Sequence, residues 1–139
     1  MIDPDRVTSK LGSLETYLRG LAEKQGCSWE EYRRDRDLQD IVERRFEKAT
    51  RASLSVASHI VAAEGFREPT NYGDLFRMLE AERILSSATA DEMAEMAGFR
   101  NVLAYEYADI VDERVYDHLQ DIERFERYGS AIHDFLNDQ

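Results

Sequence analysis

Apolar residues recur at intervals of three and four along nearly the whole chain, and strict alternation is nowhere sustained. This spacing places apolar side chains on one face of an α-helix, so it predicts helices rather than strands. The first helix is predicted to follow Asp3 as its N-cap, to hold Pro4 in its first turn and to end before Gly26. Its buried face is predicted to consist of Val7, Leu11, Leu14, Leu18 and Leu21.

The longest helix is predicted from about Asp37 to Glu64, with Gly65 as its terminator. Several small residues in its middle would let another helix approach closely: Ala49, Ala52, Ser53, Ala57 and Ser58. Three more helices follow in chain order, predicted to begin near Asn71, at a capping box of Thr89 with Glu92, and at Asp109 or Asp112. The third helix is predicted to carry its apolar face as far as Leu85.

About five helices joined by short loops predict an all-α antiparallel bundle with a long helix pair at its centre. A length of 139 residues predicts a single domain over residues 1–139. No apolar run approaches the roughly 18 residues of a membrane span, and the acidic start predicts no signal peptide. Cys27 is the sole cysteine, which fits a reducing cytoplasm.

The net charge of −11 argues against a nonspecific grip on nucleic acid, because phosphates would be repelled at long range. Any contact with RNA must therefore come from a local cluster of basic residues. The sequence offers two concentrations, Arg33-Arg34-Arg36 and Arg44-Arg45, although both are interleaved with acidic residues as on a solvated helix face.

The segment from Gly98 to Tyr107 brings Arg100, Asn101 and Tyr105 together with Tyr107 within about two helical turns. The planar guanidinium of Arg100 suits a phosphate and keeps its charge at any relevant pH, and the Asn101 amide can donate and accept beside it. On one straight helix Tyr105 lies about 140° from Arg100. The two would meet only if the helix ends or bends nearby, or if a second subunit supplies one of them.

This segment resembles the signature of HEPN-domain proteins of the HepT type, which is Arg-Asn, a few residues, and then His-x-Tyr. Similar residues occur at Asp40-Ile41-Val42-Glu43, at Ala57-Ser58-His59-Ile60, and at Pro69-Thr70-Asn71-Tyr72 with Phe76 and Leu79. The resemblance covers roughly Asp37 to Leu136. It departs at one position, because Tyr105 stands where the family has His.

The resemblance implies a HEPN-type bundle that works as a homodimer, with Arg100, Asn101 and Tyr105 of each subunit near the two-fold axis. It implies a metal-independent endoribonuclease acting on RNA, with tRNA as one candidate substrate, in which the His removes the 2′-hydroxyl proton and the Arg stabilises the phosphorane. A phenol with a pKa of about 10 is a poorer base than an imidazole at about 6.5. Tyr105 is therefore expected to orient the ribose hydroxyl or to donate to an oxyanion. No metal and no cofactor is predicted.

The resemblance also implies a type VII-like HEPN/MNT toxin–antitoxin system in the cytoplasm. Tyr107 matches the signature tyrosine, which accepts AMP from a nucleotidyltransferase antitoxin of the MntA type. Phosphates added beside Arg100 would occupy its guanidinium and place negative charge where the RNA phosphate should lie.

Two other hypotheses remain open. A catalytically degenerate HEPN dimer, having lost cleavage with its His, would act as an RNA-binding or partner-binding module, and both Tyr105 and the charge of −11 favour it. In a purely structural bundle, Arg100 would pair with a carboxylate such as Glu95 or Asp109. His59 would replace the missing base only if the fold brought it to Arg100.

Overall fold

The computed structural model describes residues 2–105 and 108–138, with the side chains at 101, 104, 105 and 108–110 left out of that description. Within these residues the chain is all α-helical and contains no strand. Seven helices follow one another: α1 Pro4–Ala22, α2 Trp29–Arg34, α3 Arg36–Ala63, α4 Tyr72–Ala81, α5 Ser87–Tyr105, α6 Ala108–Leu119 and α7 Glu123–Asn137. The predicted all-α bundle is confirmed, with seven helices in the described residues instead of about five. No described helix is both long and apolar enough to cross a membrane.

One additional helix arises because Asp35 separates α2 from α3. Ser28 and Glu31 form a reciprocal capping box that begins α2. Asp35 then ends α2 and serves as N-cap of α3, where its carboxylate accepts a hydrogen bond of 3.0 Å from the backbone N–H of Leu38. The chain therefore turns between two helices without an intervening loop.

The other additional helix arises because the predicted last helix is broken at residues 120–122. The Gln25 amide donates to the carbonyl of Leu119 at 2.9 Å, and the Gln120 amide donates to the carbonyl of Gln25 at 3.0 Å. The first bond satisfies a backbone carbonyl that the end of α6 leaves open, and the second satisfies a carbonyl in the turn after α1. They join the turn after α6 to the turn after α1.

The central pair consists of α1 and α3, which run antiparallel as predicted. Near one end of the pair the backbone N–H of Asp3 donates to Nε2 of His59 at 3.1 Å, and near the other Nη1 of Arg45 donates to the carbonyl of Gly20 at 2.6 Å. A Cβ on Gly20 would lie 3.2 Å from Cδ of Arg45, so glycine permits this close approach. His59 thus holds a structural contact between the two helices.

The core forms around α3. All five apolar residues predicted for α1 are buried, and α3 contributes Val42, Phe46, Ala49, Val56, Ala57 and Ile60. The hydroxyl of Tyr128 on α7 donates to the carbonyl of Ser53 on α3 at 2.8 Å, inside the core. Its ring meets Phe76 of α4 edge-on, with centroids 5.4 Å apart. Tyr128 therefore connects three helices through one side chain.

Two details of the second half differ from the sequence predictions. The helix α4 ends at Ala81, before Leu85, because Arg83 adopts a left-handed conformation with φ of 61° and turns the chain. Leu85 is buried all the same. The predicted Thr89–Glu92 capping box is wrong: Oγ of Ser86 accepts the N–H of Thr89 at 3.1 Å, and Glu92 pairs with Arg127 of α7.

The segment before α4 is fixed by Arg67 and Asp74. The Arg67 guanidinium donates to both carboxylate oxygens of Asp74, at 2.6 and 2.9 Å. The same carboxylate accepts the N–H of Thr70 at 2.9 Å, and Asn71 caps the helix through the N–H of Asp74 at 2.8 Å. We call this group the Arg67–Asp74 clamp. The Arg67 guanidinium and the Thr70 N–H hold the pKa of Asp74 well below its usual range.

The clamp makes stability depend on pH in a defined direction. Because the folded pKa of Asp74 lies below its unfolded value of about 3.9, its contribution is present above that value and is lost as the pH falls below it. We expect Asp74→Asn to lower the urea midpoint at neutral pH, and the difference from the unsubstituted protein to narrow near pH 3.

The matched control is Asp134→Asn, which changes an exposed carboxylate on α7. We expect it to keep the pH dependence of the unsubstituted protein. An Asp74→Asn midpoint that stays parallel to that of the unsubstituted protein at both pH values would contradict the proposed role of the clamp.

Candidate functional site

Arg100 lies on α5 and is half-buried, with its guanidinium carbon 5.8 Å from the centroid of the Tyr72 ring. Tyr72 is the first residue of α4 and is 64% exposed, unlike the other large apolar side chains near it. A guanidinium over an exposed ring gains about 0.5–1 kcal/mol. The contact therefore steadies Arg100 without consuming its hydrogen-bond donors.

Arg100 forms no ion pair with any carboxylate that the structure describes. The hypothesis that Glu95 neutralises it is wrong, because Oε1 of Glu95 lies 3.5 Å from Nη1 of Arg124 and 3.9 Å from Nε2 of His118. The side chain of Asp109, the other suggested partner, lies outside the described residues. The Arg100 guanidinium thus lies beside an exposed aromatic ring and pairs with no described carboxylate.

Asn101 and Tyr105 belong to α5, but their side chains lie outside the described part of the chain, and so does Tyr107. Since α5 extends over Ser87–Tyr105, Arg100 and Tyr105 lie on one helix, about 140° apart by its geometry. Their convergence in one cleft stays a prediction. So does the role of each of these three residues.

Tyr72 belongs to the candidate site, but in the sequence it stood out only as part of the family resemblance. Its position follows from the Asn71 cap and from the Arg67–Asp74 clamp, which fix the first turn of α4. The signal available in the sequence was an aromatic residue directly after a capping Asn, where the helix surface is open to solvent. The partnership with Arg100 joins residues 28 positions apart and carries no local signature.

A second polar group lies against α5 at Phe99. The His118 ring packs edge-on against Phe99 with centroids 4.5 Å apart, and an open hollow of about 790 Å³ adjoins them. Nη2 of Arg124 binds Asp121 at 2.7 Å, while its Nε is buried without a partner among the described residues. The sequence patterns did not predict this group. The available signal was that Glu95 and Phe99 lie one turn apart and therefore share a face of α5.

Burial lowers the pKa of His118, and the nearby Arg124 lowers it further. The imidazole is therefore neutral at neutral pH and can accept a proton. However, the residues of α5 that face this hollow are Glu95, Gly98, Phe99 and Val102, and Arg100 is not among them. His118 of α6 therefore packs against one face of α5, and Arg100 lies on a different face of α5.

Two carboxylates lie near each other, the half-buried Glu43 of α3 and the buried Asp112 of α6. Burial raises the pKa of Glu43, and the carboxylate of Asp112 raises it further. The same two carboxylates and burial raise the pKa of the Tyr32 phenol, whose hydroxyl has no hydrogen-bond partner in the described residues. This environment disfavours a bound anion, so the phosphate candidate remains Arg100. No group of three His, Cys, Asp or Glu side chains in the described residues could hold a metal ion.

Residues 14–132 match the family described as Ribonuclease HepT-like. The relatives include the mRNA nuclease HepT of Shewanella oneidensis, 25% identical over 125 residues that make up 87% of this chain and 93% of that protein. They also include the tRNA nuclease HepT of Aphanizomenon flos-aquae, 28% identical over 116 residues, or 83% of this chain and 78% of that protein.

Solved structures share the fold. A toxin–antitoxin crystal structure with AMP-PNP contains a chain that superposes with a TM-score of 0.79 at 24% identity, covering 94% of this chain and 98% of that one. A tri-AMPylated Shewanella oneidensis HEPN toxin in complex with an MNT antitoxin gives a TM-score of 0.78 at 23% identity, covering 92% and 96%. The family match spans most of the sequence, and it includes the helices that carry Arg100 and Tyr72. The chain therefore belongs to the Ribonuclease HepT-like family.

Proposed function

We propose that this protein is a HepT-type toxin of a HEPN/MNT toxin–antitoxin system, and that it cleaves RNA in the cytoplasm without a metal ion. Its family and the nuclease names of its relatives support this function. The observation that carries it is the Arg100 guanidinium, which rests on the exposed Tyr72 ring and pairs with no described carboxylate.

In the proposed reaction the 2′-oxygen of a ribose attacks the adjacent phosphorus while the bond to the 5′-oxygen breaks. The 2′-hydroxyl loses its proton and the departing 5′-oxygen gains one, so the products are a 2′,3′-cyclic phosphate and a free 5′-hydroxyl. Arg100 binds the phosphate oxygens and stabilises the additional negative charge of the phosphorane. Asn101 donates beside it, and Tyr105 orients the ribose hydroxyl.

In a homodimer, residues that point in different directions on one straight helix can meet across the two-fold axis. Arg100 and Tyr105 diverge by about 140° around α5, so a second copy of α5 near a two-fold axis can place the Tyr105 of one subunit opposite the Arg100 of the other. We propose such a composite cleft as the active site.

The proposed partner is a nucleotidyltransferase antitoxin of the MntA type. Structures related in fold contain a HEPN toxin with an MNT antitoxin, and one of those toxins is tri-AMPylated. We propose Tyr107 as the AMP acceptor, because phosphate groups bound there would compete with RNA for Arg100.

The alternative is a HEPN dimer that binds RNA or a partner without cleaving. Two features of the sequence favour it: Tyr105 in place of the motif His, and the net charge of −11. The experiments below separate it from the nuclease.

Arg100 is expected to be essential for cleavage. We expect Arg100→Ala to reduce the rate of RNA cleavage by about 100-fold or more, because a charge stabiliser of the transition state is removed. Arg100→Lys should recover only part of the rate, since it keeps the charge and loses the planar pair of donors. Single-turnover cleavage of labelled RNA measures both, with Arg34→Ala on the exposed face of α2 as control. Equal rates for Arg100→Ala and the unsubstituted protein would exclude the proposed role.

Tyr105→His is expected to accelerate cleavage. An imidazole is a better base at neutral pH than a phenol, and general base catalysis contributes about 100-fold to 10,000-fold. The rate of this variant should rise with pH through a value near 6.5, where the imidazole becomes neutral. The double variant Tyr105→His/Arg100→Ala should stay inactive. If Tyr105→His cleaves no faster at any pH, position 105 does not take part in proton transfer.

Tyr107 is expected to carry AMP after co-expression with the cognate nucleotidyltransferase. Intact-mass measurement should show added AMP units on the unsubstituted protein and none on Tyr107→Phe. Tyr72→Phe is the control, because it removes an exposed phenol beside Arg100 and should leave the modification in place. Modification that persists in Tyr107→Phe would assign the acceptor to another residue.

A further inference from the structure

A groove with an unusual charge lies along the outer side of the α1–α3 pair. It consists of two open hollows of about 700 and 240 Å³, and both are lined by Tyr17 and Lys48. Six basic residues line them together: Lys10, Arg19, Arg44, Arg45, Lys48 and Arg51. We call this surface the α1–α3 groove. No residue of α5 lines it, so it is separate from Arg100.

The groove is lined mainly by basic residues, whereas the protein as a whole is acidic. Six of the 18 basic residues of the chain line it, against Glu23 and Asp40 in the lining and Glu47, which pairs with two of the lining arginines. In a protein with a net charge of −11, such a concentration is the surface that attracts an anion. The Arg44-Arg45 pair, which the sequence showed as an interrupted basic run, thus acquires Lys10 and Arg19 from the neighbouring helix.

The basic side chains of the groove differ in the hydrogen bonds and ion pairs that they already make within the protein. Arg45 donates to the carbonyl of Gly20 and lies 3.9 Å from Glu23, so its role is structural. Arg44 and Arg51 share the carboxylate of Glu47, at 3.3 and 2.6 Å, but both stay more than half exposed.

The remaining three, Lys10, Arg19 and Lys48, form no ion pair with any carboxylate among the described side chains. Their charges are therefore not neutralised locally. Arg19 donates to Oγ1 of Thr16 at 3.2 Å and Lys48 lies over the Tyr17 ring, so a ligand that binds the three charges has no ion pair with a described carboxylate to break.

Tyr17 adds an aromatic ring at the centre of the groove. It is half-buried, lines both hollows, and has Nζ of Lys48 5.7 Å from its ring centroid. Basic residues interleaved with an aromatic ring are typical of grooves that bind single-stranded nucleic acid, where phosphates meet the charges and a base stacks on the ring. From Ile41 to Ser55 the groove follows α3 for about 21 Å, long enough for several nucleotides.

We propose that the α1–α3 groove binds a single-stranded segment of RNA through its phosphates, away from the cleavage site. The proposal rests on the proposed function, since it assigns the groove to the substrate of that nuclease. Lys10, Arg19 and Lys48 supply the principal phosphate contacts, and Tyr17 stacks a base. An acidic protein would meet the same charges, but it would make no specific use of the ring.

The test measures binding to a probe that cannot be cleaved: a fluorescent, 2′-O-methylated single strand about 12 nucleotides long. The groove variant is Lys10→Gln/Arg19→Gln/Lys48→Gln. The control variant, Arg33→Gln/Arg34→Gln/Arg83→Gln, removes the same number of charges from exposed residues outside the groove. Circular dichroism and the urea midpoint verify folding, and Lys10→Arg/Lys48→Arg keeps the charges in place.

We expect the groove variant to weaken binding at least tenfold and the control variant by less than threefold, with affinity retained in the arginine variant. The slope of log affinity against log salt should fall by about 2, because three phosphate contacts to a single strand are lost. Tyr17→Leu should weaken binding about tenfold and leave the salt slope unchanged, because it removes stacking rather than charge.

Equal losses in the groove and control variants would overturn the proposal, since only the overall charge would then matter. Undetectable binding by the unsubstituted protein would overturn it as well. A groove variant that keeps its RNA affinity but no longer binds the antitoxin would assign the surface to an acidic protein instead.

Cleavage assays separate this failure from failure of the proposed function. If the groove is not used, the groove variant cleaves RNA with the same kcat/KM as the unsubstituted protein, while Arg100→Ala remains inactive. If the protein is not a nuclease, no variant cleaves, and the difference in binding between the groove and control variants still decides whether the groove holds RNA.

Discussion

The fold depends on α3 being enclosed by other helices along most of its length. The side chains of Ala49 and Ser53 are small, so neighbouring helices can approach the α3 backbone closely. The Tyr128 hydroxyl donates to the Ser53 carbonyl within the core. A buried phenol without that acceptor would cost about 1–3 kcal/mol, so this single bond also selects the orientation of α7. The Phe76 ring packs on the same tyrosine and places α4 relative to both.

The position of the candidate site depends on how this packing places α4 and α5. Their apolar faces turn inward, and Tyr72 at the start of α4 remains outside, beside Arg100. Arg67 and Asp74 hold the first turn of α4 in place, which fixes the ring on which the guanidinium rests. The Arg67–Asp74 clamp therefore helps to place the ring that lies against the proposed phosphate-binding group.

The sequence predicted the helices well where one periodic face decides the structure, as for α1 and α3. It could not predict the break before α7, because that turn depends on Gln25 and Gln120, which are 95 positions apart. The Ser86 cap was missed because Thr89 offered an equally good local pattern. For the candidate site, the sequence proposed Arg100 but did not predict its contact with Tyr72, since a cation–π contact between helices has no fixed spacing. The partners of Glu95 were unpredictable for the same reason.

Gly20 shows how an uncharged position can control an electrostatic surface. The Arg45 side chain passes 3.2 Å from the place where a Cβ would stand, and its guanidinium donates to the carbonyl of that same glycine. A larger residue there requires the Arg45 side chain to shift, and the positive charge shifts with it although the formal charge of the protein is unchanged. Glycine at this position therefore constrains where a positive charge lies on the helix pair as well as how closely the two helices pack.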